Sequence, residues 1–189
     1  MSVNLLLAQA LNGLQFGILL FLMAAGLTLV FGIMSFINLA HGSLYMLGAY
    51  FAAVLYAISG SFTLALFIAS IGVFLFAALL DAIGLDELHR RDHLDQVLAT
   101  FGVVLFSNEL VRWIWGNSPL FMDTPSSLSE SIQIFGFNYP SYRFAIIAVG
   151  LAVALGLYLF IERTKIGMLI RAGANNREMV MALGINIGW

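Results

Sequence analysis

The sequence predicts an all-α protein, a polytopic bundle of about five transmembrane helices followed by a short polar tail. Three observations lead to it. Only 10% of the residues are charged, against 61% hydrophobic, where a soluble domain carries about 25% charged residues. The apolar residues fall into blocks of span length, a bilayer crossing needing about 20 of them. The basic residues cluster after the third and fifth blocks.

Charge is not only scarce but late. No Asp, Glu, Lys or Arg precedes Asp81, so His41 is the one readily titrating side chain in the first 80 residues. Such a chain cannot clothe a water-facing surface, and its mean hydropathy of +0.98 makes lipid its solvent. A net charge of −2 gives no reason to expect a nucleic-acid partner. With no cysteine in the chain, disulfides, thiolate catalysis and Cys-based metal sites are excluded. The N-terminus has no positive n-region, and its apolar run outlasts the h-region of a cleavable signal peptide.

The first apolar block, Leu5 to Ile58, is too long for one crossing and divides where Ser35, Asn38, His41, Gly42 and Ser43 interrupt it. Span 1 is expected over about 10–32 and span 2 over about 43–58. Ser59-Gly60-Ser61 reads as a tight turn, and span 3 follows over about 62–83. Asp81 to Asp95 holds five acids and two basic residues and reads as a solvated loop. His89 and His93 within it have the i,i+4 spacing of metal ligands, but they stand beside Arg90 and Arg91, so no metal is expected. Span 4, about 96–115, is less apolar and carries Asn108, Glu109 and Arg112. All three prolines lie in the polar loop 116–141, where the alternation over Ser131–Phe137 suggests a small hairpin. Span 5 covers Phe144 to Ile161, and a polar, basic tail runs from Glu162 to Trp189.

Orientation follows from Lys and Arg in short loops. Arg90 and Arg91 follow span 3, and Arg163, Lys165, Arg171 and Arg177 follow span 5, while Arg143 alone stands at the other face. Both basic segments are therefore expected in the cytoplasm and the N-terminus outside. A re-entrant segment near 33–43 would change that parity. Between spans, small residues mark close approach. Gly13 and Gly17 form a GxxxG pair, with Gly26, Gly32, Gly42 and Gly48 continuing the series. These are expected to pack inside one bundle rather than to drive dimerisation.

Three motifs hold the candidate functional residues. In Asn38-Leu-Ala-His-Gly42, polar side chains at membrane depth suggest function; equally, Asn38, His41 and Gly42 suit a turn whose polar groups satisfy the broken backbone. Glu109 and Arg112 are i,i+3 on span 4, the spacing of an ion pair on one helix face. Beside Trp113 and Trp115 they read as an interfacial anchor. In the tail, Gly167-Met-Leu-Ile-Arg-Ala-Gly-Ala174 precedes Asn175-Asn-Arg-Glu178, which has the spacing of a capping box. A helix of about two turns is expected from Asn175, stopped by Gly184. Alone it would not be stable in water, so it must dock on a protein or lie on the membrane.

Taken in order, these motifs resemble one family over residues 10–189. Asn38-Leu-Ala-His-Gly42 with Tyr45-Met-Leu-Gly-Ala-Tyr50, Asp95-Gln-Val-Leu-Ala-Thr-Phe-Gly102 continuing to Arg112-Trp-Ile-Trp-Gly116, and Gly167 to Asn186 are similar to the permeases of branched-chain amino acid ABC transporters of the high-affinity leucine/isoleucine/valine type. That resemblance implies a subunit of the bacterial inner membrane working with a second permease subunit, two ABC ATPase subunits and a periplasmic substrate-binding protein. It implies a transmembrane permease domain over 1–162 and a cytoplasmic coupling segment over 163–189. Gly167, Arg171, Ala172, Ala174, Glu178, Gly184 and Asn186 would engage the ATPase there. Members of the family continue through further spans, so a chain ending at Trp189 is expected to be a partial permease. Asn175 and Asn176 stand where many relatives carry an acid, which would weaken charge-based docking.

No Gly-x-x-x-x-Gly-Lys-Ser/Thr occurs, so ATP is expected on the partner subunits and no cofactor on this chain. A permease for urea or short amides is the reading of the same class. A channel or secondary transporter would predict a charged relay or a repeat within the spans, and neither is evident. Intramembrane catalysis would need a nucleophile with its base or a ligand set; His41 has no such neighbour in sequence, so no enzyme is expected.

Overall fold

The computed structural model describes residues 3–34, 36–85, 88, 91–134, 137–175 and 179–180. Six α-helices are placed among them: α1 Val3–Met34, α2 His41–Ser59, α3 Phe62–Leu80, α4 His93–Trp115, α5 Ser141–Arg163 and α6 Lys165–Asn175. A π-helical turn, Asp81–Leu85, extends α3. Strands β1 Ser131–Ile134 and β2 Phe137–Pro140 pair antiparallel, from Ser131 opposite Pro140 to Ile134 opposite Phe137. The expected hairpin is present, one strand longer than its alternation showed. Five helices are long and apolar enough to cross a membrane, within Val3–Gly32, His41–Ser59, Phe62–Ile83, His93–Trp115 and Ser141–Arg163.

The main shifts lie at the ends of the apolar runs. Span 1 begins at Val3 rather than near residue 10, and its 32-residue helix is about 48 Å long at 1.5 Å per residue, well beyond a hydrocarbon core of about 30 Å. Span 4 begins at His93, so Asp95 lies in a helix rather than a loop. Gly60 ends α2 in the left-handed region, φ 66°, its N–H on the Tyr56 carbonyl at 2.9 Å, the αL cap glycine favours. Two exposed hydroxyls on these helices are satisfied within their own helix: Thr28 donates to the Ala24 carbonyl at 2.7 Å and Ser70 to the Leu66 carbonyl at 2.8 Å.

The chain divides into two compact units, one of Met1–Ser35 with Thr124–Trp189 and one of Phe36–Asp123. In the first, α5 packs on α1, and α6 packs on both. Asn12 meets Arg143, and further along both helices Ile18 meets Gly150. Helices α1 and α5 therefore run in the same direction, as five alternating spans require. Gly150 is buried, and a Cβ there would overlap the Ile18 side chain. In the second unit α2 and α3 lie antiparallel. An added Cβ at Gly48 would stand 3.4 Å from Val73, one at Gly72 3.5 Å from Phe51, and the rings of Tyr56 and Phe62 meet edge-on at 6.0 Å.

Of the glycines singled out in the sequence, Gly48 packs in this way, whereas Gly13, Gly17, Gly32 and Gly42 have nothing within 4 Å of an added Cβ. The Gly13/Gly17 face is thus not a packing face among the described residues. Among the described residues, the glycines that bring spans together are Gly48, Gly72 and Gly150.

Candidate functional site

The break between α1 and α2 has its own local turn. Asn38 Oδ1 accepts from the Ala40 N–H at 3.0 Å, and the Ala40 carbonyl accepts from Ser43 and Leu44 at 3.0 and 3.1 Å. His41 is the first residue of α2, its N–H on the Asn38 carbonyl at 3.4 Å, and Gly42 is exposed in the first turn. Phe36 and Ala40 are buried. Asn38 therefore satisfies broken backbone, the second of the two readings its motif allows.

Two residues far along the chain complete that turn. Gln96 Oε1 accepts from the Ile37 N–H at 3.2 Å, while its Nε2 donates to the Leu88 and Arg91 carbonyls at 3.3 and 3.1 Å. One amide thus joins the break before α2 to the turn before α4, and His93 Nδ1 lies 3.4 Å from the same oxygen. Thr100 Oγ1 contacts the Ile37 carbonyl at 3.4 Å and donates to Gln96 O at 2.7 Å. Gln96 is 3% exposed and Thr100 and Ser107 0%. Ser107 Oγ is the buried side-chain oxygen left without a partner among the described residues. Spaced at 96, 100 and 107, these side chains form a polar stripe on the inner face of α4. Both Gln96 and Thr100 fall within the family-like segment Asp95–Gly102, yet nothing in the sequence itself marks either as a bridging residue.

Glu109 and Arg112 do pair, at 2.8 Å, with side chains 71% and 61% exposed. The pair stands outside the packed stripe, where an ion pair contributes little. Its aromatic neighbours part company. Trp113 is 85% exposed, but Trp115 packs against Tyr50 and Phe51, ring centres 5.2 and 6.2 Å away. Trp115 is a packing residue of its unit, not a member of an outward aromatic belt.

At the start of α5 a second polar node appears, which the sequence did not mark. Asn12 Oδ1 accepts from Arg143 Nη1 at 2.6 Å and from the Tyr139 hydroxyl at 3.2 Å. Arg143 Nε donates to the Tyr142 hydroxyl at 2.9 Å, and the guanidinium lies 5.7 Å from that ring's centre. Asn12 is a polar residue in an apolar helix, and this node is its reason.

Helix α6 begins at Lys165, ahead of the helix expected from Asn175, and Asn175 is its last residue. The expected helix from Asn175 to Gly184 lies mostly outside the described residues, of which 179–180 are helical. Gly167 and Gly173 are buried, whereas Met168, Leu169, Ala172 and Ala174 are exposed. Arg171 pairs with Glu162 at 2.5 Å. Glu178, Gly184 and Asn186 lie outside the described residues, as do His89 and Arg90.

Comparison with known proteins gives a consistent picture. The model of a family described as the permease component of branched-chain amino acid transport systems matches residues 9–189. The chain is 32% identical to the high-affinity branched-chain amino acid transport system permease protein BraD of Pseudomonas aeruginosa, over 95% of its own length and 62% of that relative's. It is 27% identical to the permease protein LivH of the corresponding Salmonella typhimurium system, again over 95% of this chain and 62% of the relative. To LivH of Escherichia coli strain K12 the identity is 26%, with the same coverage. The chain thus spans 62% of the length of these relatives. No solved structure matches it.

Proposed function

Because this chain belongs to the family of branched-chain amino acid transport permeases, a multi-pass family of the bacterial inner membrane and not of enzymes, we propose that it is a translocating subunit of an ABC importer for branched-chain amino acids. Helix α6 is the observation that carries the reading. Eleven residues are too few for a stable helix alone in water. It is held at the end of a span, and it turns Met168, Leu169 and Ala172 outward, a small apolar face suited to a cleft on a partner. In this reading two ATPase subunits bind and hydrolyse ATP, and their motion reaches α5 through α6. A second permease subunit completes the pathway, and a periplasmic binding protein delivers the substrate. This chain holds no cofactor.

Ala172 and Ala174 are proposed to face the ATPase. Glu178, Gly184 and Asn186 are assigned to the same contact on their motif alone. Asn38 and Gln96 are assigned to holding the permease fold rather than to touching substrate.

The test is expression of the tagged chain in its native membrane, with capture of an ATPase subunit and uptake of labelled leucine as readouts. Capture and uptake, both lost in Ala172→Trp, are expected. Uptake of urea in place of leucine would move the substrate to short amides. Absence of any ATPase from preparations of both this chain and one extended through the further spans of its relatives would sink the importer reading.

A further inference from the structure

Helix α5 and helix α6 are separated by one residue, Thr164. Its backbone is extended, φ −103° and ψ 157°, with its N–H on the Phe160 carbonyl at 3.3 Å. Its hydroxyl donates to that same carbonyl at 2.6 Å and accepts from the Gly167 N–H at 3.0 Å. Its own carbonyl accepts from Met168 at 3.0 Å. Thr164 thus caps the end of one helix and the start of the next, meeting orphan groups of both. A junction built on one residue, with its N–H, hydroxyl and carbonyl all engaged, has little freedom to bend.

Gly167 closes the joint. It is buried, and a Cβ there would run into the carbonyl oxygens of Phe160 and Ile161. Those are backbone atoms and cannot rotate aside, so only glycine allows the first turn of α6 to rest on the last turn of α5. On another side Arg171 Nη1 reaches Glu162 Oε2 at 2.5 Å, side chains 45% and 41% exposed. The pair bridges the two helices and is solvated enough to set their angle more than to add stability.

We infer that Glu162, Thr164, Gly167 and Arg171 form a rigid joint that makes α6 a lever fixed to α5, so that they are positioning residues and not contacts for an ATPase. This rests on the reading of α6 as the coupling helix, and it reassigns Gly167 and Arg171 within it. Force applied to the outward face of α6 would then move the end of α5 directly, with no hinge to absorb it.

The chain has no cysteine of its own, so paired cysteines can be placed at the exposed Val149 on α5 and Met168 on α6 and spin-labelled in nanodiscs. The parent is expected to give one narrow distance distribution. Gly167→Ala should shift and broaden it. Thr164→Val, which keeps the volume and removes the cap, should broaden it less, and it tests the same joint if Gly167→Ala fails to accumulate. In the assembled importer Gly167→Ala should retain the ATPase while losing substrate-stimulated hydrolysis. An unchanged distribution in both variants overturns the joint. A shifted distribution with stimulated hydrolysis intact overturns its role as a lever. Absence of ATPase from the parent preparation strikes the importer reading instead, and the distances still decide the joint.

Discussion

The chain breaks its helical run at 36–40 and again at Thr164, and the two breaks are mended in opposite ways. The first depends on side chains 59 and 63 residues away, where Gln96 and Thr100 reach Ile37. The second is closed by residues within a few positions of itself, through one hydroxyl and a glycine on backbone. Backbone groups freed in an apolar setting must find partners. A break inside a packed unit can recruit a distant amide, whereas the one between a span and the short helix that follows it is settled locally. The distant solution ties separate segments into one unit; the local one fixes an angle.

The comparison breaks most visibly at Gln96. Gln96→Leu removes three part-buried hydrogen bonds, from the Ile37 N–H and to the Leu88 and Arg91 carbonyls, each worth about 0.5–1.5 kcal/mol net. A loss of about 2–4 kcal/mol is expected in detergent unfolding, with proteolysis beginning in both segments that Gln96 joins. Cleavage confined to one of them would show that the amide does not link the two.

The other unit, which relies on close backbone approach, should be less sensitive to polar loss and more to volume. Gly150→Ala is expected to cost about 1–3 kcal/mol, as overpacking does, because the new Cβ meets Ile18. Ile18→Ala in the same chain should restore much of that stability, a coupling a double-mutant cycle measures. Additive losses would mean that the two helices do not meet there.

Smallest of all should be the pair the sequence displayed most openly. Glu109→Gln removes an ion pair whose members are mostly exposed, worth about 0.2–1 kcal/mol at such sites. A thermal shift no larger than this is expected, and a larger one would place the pair inside an interface.

Much of the fold was legible because its signals are local. Apolar runs, Gly60, the prolines of 116–141 and the late arrival of charge all act on their own neighbourhood, and the spans end close to where they predict. What escaped was reach. No spacing in Asp95–Gly102 tells which side chain will meet Ile37, and Asn12 looks idle until Arg143 arrives from 131 residues away. Charged Glu109 drew attention that the quieter Gln96 warranted more. In the tail the start of α6 is marked by Thr164, whose hydroxyl accepts from the Gly167 N–H, but a lone threonine is a weaker sequence signal than the Asn175-x-x-Glu178 spacing further on.

Contact between the outward face of α6 and an ATPase is the centre of the proposed function. Ala172→Cys carrying a short photo-crosslinker tests it in native membranes, with Asp123→Cys, in the 116–141 loop, as the control. The account predicts a crosslink to an ATPase subunit from position 172, changed in yield by ATP, and none from 123. No adduct from 172, or equal adducts from both positions, would contradict it.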